Sequence, residues 1–242
     1  MNLLSEIAEL KATHRGLEHY EENENATVLS GTLTFKAKPD GFDSITDSFQ
    51  ISISIPKTYP RELPKVRETE GRISQDYDHI FTNGNLCLGI PVEMNRIFSL
   101  QPCLLGFVNR LLVPYFYGFC HWKQYGKHPF GEHDHNGDGI VEYYMEQLNL
   151  RDEERAIAFV CYLYEFGYCE YHECPCGSEK RLKNCHGPKL FALKQHHTEY
   201  TLNVEVYHVI NMFKASVKAG KPRFSAKLTN QIIRIIQSRK KS

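Results

Sequence analysis

The chain has 242 residues, 41% of them hydrophobic and 24% charged, the balance of a globular protein with one large domain or a domain plus a small appendage. Its 29 basic and 29 acidic residues cancel, so bulk charge points neither to nucleic acid nor to a membrane surface. No apolar run approaches the roughly 18 residues needed to span a bilayer. The opening stretch MNLLSEIAELK carries Glu6 and Glu9 and lacks a basic leader, so no signal peptide is expected and cytoplasmic residence follows.

In chain order, Leu3, Leu4, Ile7 and Leu10 recur with helical spacing, and Gly16 can end that helix. ATVLSGTLTFKA then alternates, with Leu29, Leu33 and Phe35 on one face. DSFQISISIP alternates without a break, placing Phe49, Ile51, Ile53 and Ile55 opposite Gln50, Ser52 and Ser54. Both read as half-buried antiparallel strands joined by a PDGF turn, with KVRETE as a further strand. YPRELP is a rigid connection, because its two prolines remove donors and fix φ. Residues 72–100 show no clear periodicity and read as a long ordered loop, the kind that usually serves function. After Pro102, Leu104, Leu105, Val108, Leu111 and Leu112 share a helical face. Helices are also predicted over 140–148, 152–166, 188–197, 201–217 and 224–238. The composition changes near 168–173, which suggests two parts: 1–168 and 169–242.

Eight cysteines in a reducing compartment point to metal binding or catalysis rather than to disulfides. Cys103, Cys120, Cys161 and Cys169 lie in aromatic or aliphatic surroundings and read as core thiols. Cys174, Cys176, Cys185 and His186 form C-x-C, eight residues, then C-H. Three thiolates and one imidazole complete a tetrahedral zinc shell with no open position, so the site is expected to be structural. Lys180, Arg181 and Lys183 lie between the ligands and can offset a centre whose net charge is about −1. The segment CPCGSEKRLKNCHG resembles the zinc motif at the C-terminus of SecA, the SEC-C motif, which serves protein or nucleic-acid contact in that family.

Two weaker metal patterns are set aside. DHNGDGIVEYYM puts Asp134, Asn136, Asp138 and Gly139 at calcium-loop positions, but Met145 stands where the bidentate Glu belongs. His121, His128, His133 and His135 cluster in sequence without the spacing of a helical zinc site, and a hydrogen-bonded loop is the better account.

The remaining cysteine, Cys87, follows an Asn-Gly turn in NGNLCLGI. With IPKTYPRELPKV and the later FSLQPCLLGFVNRLL, it resembles the catalytic core of ubiquitin-conjugating enzymes over roughly residues 1–150. The matching positions are Tyr59, Pro60, Pro64, Lys65 and Val66, then Asn83, Gly84, Leu86, Cys87 and Leu88. The likeness implies an α+β fold, a four-stranded antiparallel meander flanked by helices, followed by a helical zinc-binding extension. It implies that Cys87 accepts a ubiquitin-like protein from an activating enzyme as a thioester and passes it to an amine of an acceptor protein. Where the family has Asn eight residues before the cysteine, this chain has His79, which can donate an N–H and can also act as a base. Asn83 and Asp134 are further catalytic candidates, Asp134 as one of several carboxylates (Asp76, Asp78, Glu93, Glu132) able to assist deprotonation of the acceptor amine. The divergence resembles that of bacterial members of the family, some of which act in anti-phage defence. The alternatives are an inactive member of the same fold that binds or adapts partners through its zinc-bearing C-terminus, and a cysteine hydrolase using His79.

Overall fold

The computed structural model describes residues 2–74, 76–130, 137–220 and 224–240. The chain is α+β and divides into two compact units: residues 1–89 with 93–132, and residues 90–92 with 133–242. The change of composition at 168/169 lies inside the second unit. The two helices ahead of that change bury their apolar faces in the second core.

In the first unit, α1 (Leu3–Thr13) starts at Asn2, whose side chain accepts the Leu4 amide. Four strands follow, β1 (His19–Glu22), β2 (Ala26–Ala37), β3 (Ile45–Pro56) and β4 (Lys65–Glu68), in one antiparallel sheet of order β1-β2-β3-β4. The alternation in β3 buries Phe49, Ile51, Ile53 and Ile55 as expected, against Leu29, Leu33 and Phe35 of β2. Strand β1, HYEE, escapes pattern reading because all four residues are exposed and its only role in the sheet is pairing.

The stretch expected to be a long ordered loop contains α2 (Pro91–Ser99). It is short, and its one sequence signal is a proline at the first helical position. A continuous helical segment then runs through α3 (Leu104–Phe107), a π turn (Val108–Leu112) and α4 (Val113–Tyr125). Pro114 explains the π turn: it has no N–H to give an α-helical partner, so the hydrogen-bond register slips ahead of it. Phe116 of α4 stacks on Phe49 with centroids 4.2 Å apart and planes at 11°, seating the helix on the sheet. Buried Glu6 ties three segments together, accepting the Tyr59 hydroxyl and the Leu104 amide, each at 2.8 Å. The Tyr59–Pro60 peptide is cis.

The second unit is helical: α5 (Gly137–Leu148), α6 (Glu153–Phe166), α7 (Gly187–Lys194), α8 (Glu199–Lys218) and α9 (Ala226–Arg239). Its core gathers Tyr144, Ile157, Phe159, Val160, Leu190, Val209, Ile232 and Ile235. A polar network lies inside it. Tyr144 donates to Glu205 at 2.9 Å, His197 meets the same carboxylate oxygen at 3.1 Å, and both the His and Glu side chains are 0% exposed. Satisfying these groups internally avoids the cost of a buried unpaired carboxylate. Among the described residues, no helix is long and apolar enough to cross a membrane.

Of the four cysteines expected in the core, Cys103 and Cys161 are buried, whereas Cys120 and Cys169 are half-exposed. Cys103 caps α3, its sulfur accepting the Gly106 amide at 3.4 Å. Cys120 donates to Asp47 at 3.4 Å, which keeps it near the surface of α4.

Candidate functional site

The first site is built on a narrow reversal after β4. Asn83 Oδ1 accepts the Asn85 amide at 3.0 Å, and the Gly84 amide returns to the Phe81 carbonyl at 2.8 Å. Beyond this turn the Phe81 amide donates to Asn85, and the Cys87 amide donates to the His79 carbonyl, both at 2.8 Å. Ile80 and Leu86 form the bridge between those two bonds. Antiparallel register therefore sets His79 across from Cys87 on one side of the ribbon, while Ile80 and Leu86 share the other side; the rings or chains of directly opposed residues are in contact range. Leu86 is buried and its amide donates to the Val66 carbonyl at 2.8 Å, fastening the ribbon to β4.

The His79 carbonyl takes a second bond, from the Tyr115 hydroxyl of α4 at 2.8 Å. Tyr115 thus locks the backbone on which Cys87 depends. The His79 ring lies in an aromatic nest, with centroids 5.1 Å from Tyr77 and 5.2 Å from His128. Trp122 closes the nest at 5.1 Å from Tyr77. Cys87 is half-buried. Burial pushes its thiol above the ordinary range, and a hydrogen bond with the Gly89 backbone opposes part of that rise. Such a thiol is protonated at neutral pH and needs a base to become a nucleophile. Burial also raises the Tyr115 hydroxyl, with Tyr77 and Cys87 next in effect, which keeps it a neutral donor.

The expected site residues separate accordingly. Cys87 and His79 are paired through the backbone, the Cys87 amide donating to the His79 carbonyl. Asn83 shapes the turn, its Oδ1 accepting the Asn85 amide. Asp134 and Glu132 lie outside the described residues. Glu93 is held in a two-point pair with Arg96 at 2.6 and 2.7 Å, and Asp76 accepts from Ser74 at 3.3 Å. Tyr115 and His128 were not singled out from sequence for this site. His128 sits in a histidine-rich stretch, and no local pattern joins it or Tyr115 to Cys87.

The second site is the knuckle around Cys174. The Cys174 amide donates to the Lys180 carbonyl and the Leu182 amide to His172, both at 2.8 Å, folding a short hairpin. Gly177 turns it with φ +77°, and a 3₁₀ turn (Leu182–Asn184) delivers Cys185 and His186 to the start of α7. Gly187 is required there, since a Cβ would stand 2.6 Å from the Leu182 carbonyl oxygen. The result brings one donor atom each from Cys174, Cys176, Cys185 and His186 within 4.8 Å of one another, close enough to hold a metal ion. His186 Nδ1 is 3.3 Å from Cys174 Sγ and 3.2 Å from Cys185 Sγ, and Cys176 and Cys185 sulfurs are 3.6 Å apart. Burial lowers the His186 pKa, helped by Lys189 and Arg155, so the imidazole is neutral, as ligation demands. The ring packs edge-on to Phe159 at 5.3 Å, anchoring the knuckle to α6. Beside it, Asn149, Arg151, Arg155, Gly177 and Ser178 line a shallow cleft of about 250 Å³.

No curated protein matches the chain. Residues 173–188, which contain all four of these donors, match the family model of the SEC-C motif, a metal-binding motif.

Proposed function

We propose that the chain is a thioester carrier of the ubiquitin-conjugating type, with a structural zinc knuckle in its C-terminal part. The observation that carries this reading is the pairing of Cys87 with His79 on a ribbon braced by Tyr115. The four-stranded antiparallel meander and the helical segment after the cysteine support the reading.

The chemistry follows from the groups present. An activating enzyme presents the C-terminal carbonyl of a ubiquitin-like protein as a thioester. His79 takes the Cys87 proton and the thiolate attacks that carbonyl. A carbon–sulfur bond to Cys87 forms as the bond to the donor thiol breaks. An acceptor amine then attacks, the carbon–nitrogen bond forms, and Cys87 leaves as a thiolate that regains a proton. In this step the His79 N–H serves the oxyanion, as the family's Asn amide would. The half-buried thiol suits a carrier, because water is restricted while a docked protein partner reaches the sulfur. The partners are an activating enzyme, a ubiquitin-like modifier and an acceptor protein, all consistent with a cytoplasmic setting.

Zinc is the ion the knuckle suits best. Tetrahedral zinc with Zn–S of about 2.3 Å and Zn–N of about 2.0 Å has ligand edges of roughly 3.5–3.8 Å, and the edges of 3.2, 3.3 and 3.6 Å found here lie close to that shell. With four protein donors no position remains for substrate, so the ion stabilises the fold of α6 and α7 around it.

The test is intact-mass spectrometry of the protein from its native cells, prepared with and without thiol, beside Cys87→Ala. A protein-sized adduct that is lost to thiol and absent from Cys87→Ala supports the carrier reading. A bare chain in both samples, with its presumptive partners confirmed present and folded, overturns it.

A further inference from the structure

Just after Cys87 the chain changes core. Leu86 and Leu88 pack into the core of the first unit, whereas Ile90 and Val92 pack into that of the second. Gly89 stands at the crossover with φ +145°, a conformation that residues with a Cβ rarely adopt. Residues 90–92 accordingly belong to the second unit, with residues 133–242. Val92 is 0% exposed and lies in the first turn of α2, where no helical carbonyl precedes it to accept its amide. A buried amide of that kind needs a partner from elsewhere. Glu205 of α8 supplies it: Oε1 accepts the Val92 amide at 3.2 Å, from 113 positions along the chain. The other oxygen, Oε2, takes the Tyr144 hydroxyl at 2.9 Å and meets His197 Nε2 at 3.1 Å. His197 is held in turn, its Nδ1 lying 3.1 Å from the Leu193 carbonyl. Glu205 is thus fixed by partners of its own, and its carboxylate pins Val92 from inside the second core.

The link from this pin to the thiol is short. Pro91 has a fixed φ, which leaves Ile90 as the one ordinary residue between the pinned end and Gly89. The Gly89 backbone hydrogen-bonds the Cys87 thiol and favours its thiolate. We infer that Glu205 is a positioning residue for the thioester site: by holding the Val92 amide it fixes, through Pro91 and Ile90, the Gly89 backbone that hydrogen-bonds Cys87. The inference rests on the carrier reading for the use made of the thiol, and on the pinned segment alone for its placement. It gives the buried Tyr144–His197–Glu205 network a task besides satisfying its own polar atoms.

The test is the pH profile of Cys87 labelling by iodoacetamide in the full-length protein, resolved by peptide mapping. Glu205→Leu removes the acceptor of the Val92 amide, and Glu205→Gln keeps an oxygen there. Tyr144→Phe removes a different bond from the same carboxylate and leaves Val92 its partner. Pro91→Gly leaves the buried network whole and slackens the link to Gly89. The inference expects the labelling midpoint to rise by about one pH unit in Glu205→Leu, because the thiolate loses a hydrogen bond. Below the midpoint that is about ten-fold slower labelling. Pro91→Gly is expected to move the midpoint in the same direction. Glu205→Gln and Tyr144→Phe are expected to label within about two-fold of the wild type at that pH.

An unmoved or lowered midpoint in Glu205→Leu overturns the inference. An equal rise in Glu205→Gln or Tyr144→Phe also overturns it, because the cause is then a general loosening of the core. Where Glu205→Leu does not fold, Pro91→Gly decides: a raised midpoint supports the inference and an unmoved one overturns it. The carrier reading falls separately. Absence of a thiol-labile adduct on Cys87 in native cells sinks that reading and leaves the pin standing on its labelling profile. An adduct on a protein whose profile ignores both Glu205→Leu and Pro91→Gly sinks only the inference.

Discussion

His79 and Cys87 stand opposite each other across a tight ribbon, joined by a 2.8 Å hydrogen bond from the Cys87 amide to the His79 carbonyl. The Tyr115 hydroxyl binds the same carbonyl at 2.8 Å, so a residue of α4 fixes the strand that holds the histidine. The pairing gives the ribbon two separable parts, a backbone brace and a side chain to which the proposed function assigns the chemistry.

Replacing His79 separates a base from a donor. His79→Ala is expected to slow acyl transfer from Cys87 by about 10²–10³-fold, the usual contribution of a positioned acid or base. His79→Asn keeps an N–H donor and is expected to recover the aminolysis step more than the acylation step, which needs a base. Single-turnover rates for the two steps check this. Equal recovery of both steps would show that His79 acts as a donor alone.

The reactivity of Cys87 carries a pH signature. Burial raises the thiol, so the thiolate that reacts is scarce below its pKa and its population climbs as pH rises through that value. Iodoacetamide labelling of Cys87 is therefore expected to increase across a range displaced upward from that of an exposed cysteine, whose pKa is about 8.5. Labelling rates from pH 6 to 10, resolved by peptide mapping, measure the displacement. A midpoint below that of free cysteine would contradict the burial argument.

On the zinc proposal, the second unit is expected to depend on metal. The protein is expected to hold one zinc ion per chain by atomic absorption, and chelation or Cys176→Ser is expected to lower the melting temperature, since metal affinity is also folding free energy. Gly187→Ala should destabilise the same region by about 2–3 kcal/mol, because its Cβ meets a carbonyl oxygen at 2.6 Å and the α7 start must shift. Urea unfolding of this variant with metal in excess tests the steric cost apart from metal loss.

Tyr59 has a structural part apart from the chemistry. Its hydroxyl donates to Glu6, a carboxylate 5% exposed that also accepts the Leu104 amide. Tyr59→Phe removes one partner from a buried charge and is expected to cost about 1.5–3 kcal/mol by urea denaturation, with the zinc content unchanged. A cost under 0.5 kcal/mol would mean that water takes over the bond.

Local pattern determined much of this protein. The alternation over 47–56 specifies a strand with one buried face, because side chains in a strand repeat every two residues. The spacing of Cys174, Cys176, Cys185 and His186 specifies a four-donor cluster, because a hairpin and one 3₁₀ turn suffice to fold those residues together. What depends on long-range contact was not legible. Strand β1 has no apolar face and exists only through pairing with β2. Helix α2 is nine residues long with a mixed pattern. Cys120 and Cys169 looked like core residues because their neighbours are apolar, yet which side of an element meets solvent is set by what packs there. The meeting of Tyr115 and His128 with His79 was equally invisible. Those residues lie 36 and 49 positions away, and α4 and the segment after it bring them to the ribbon. The sequence by itself determined which four donors can hold the metal and set Cys87 just after an Asn-Gly turn; only the tertiary structure decided which residues pack against that ribbon, because side-chain geometry between distant segments is set by how the core packs.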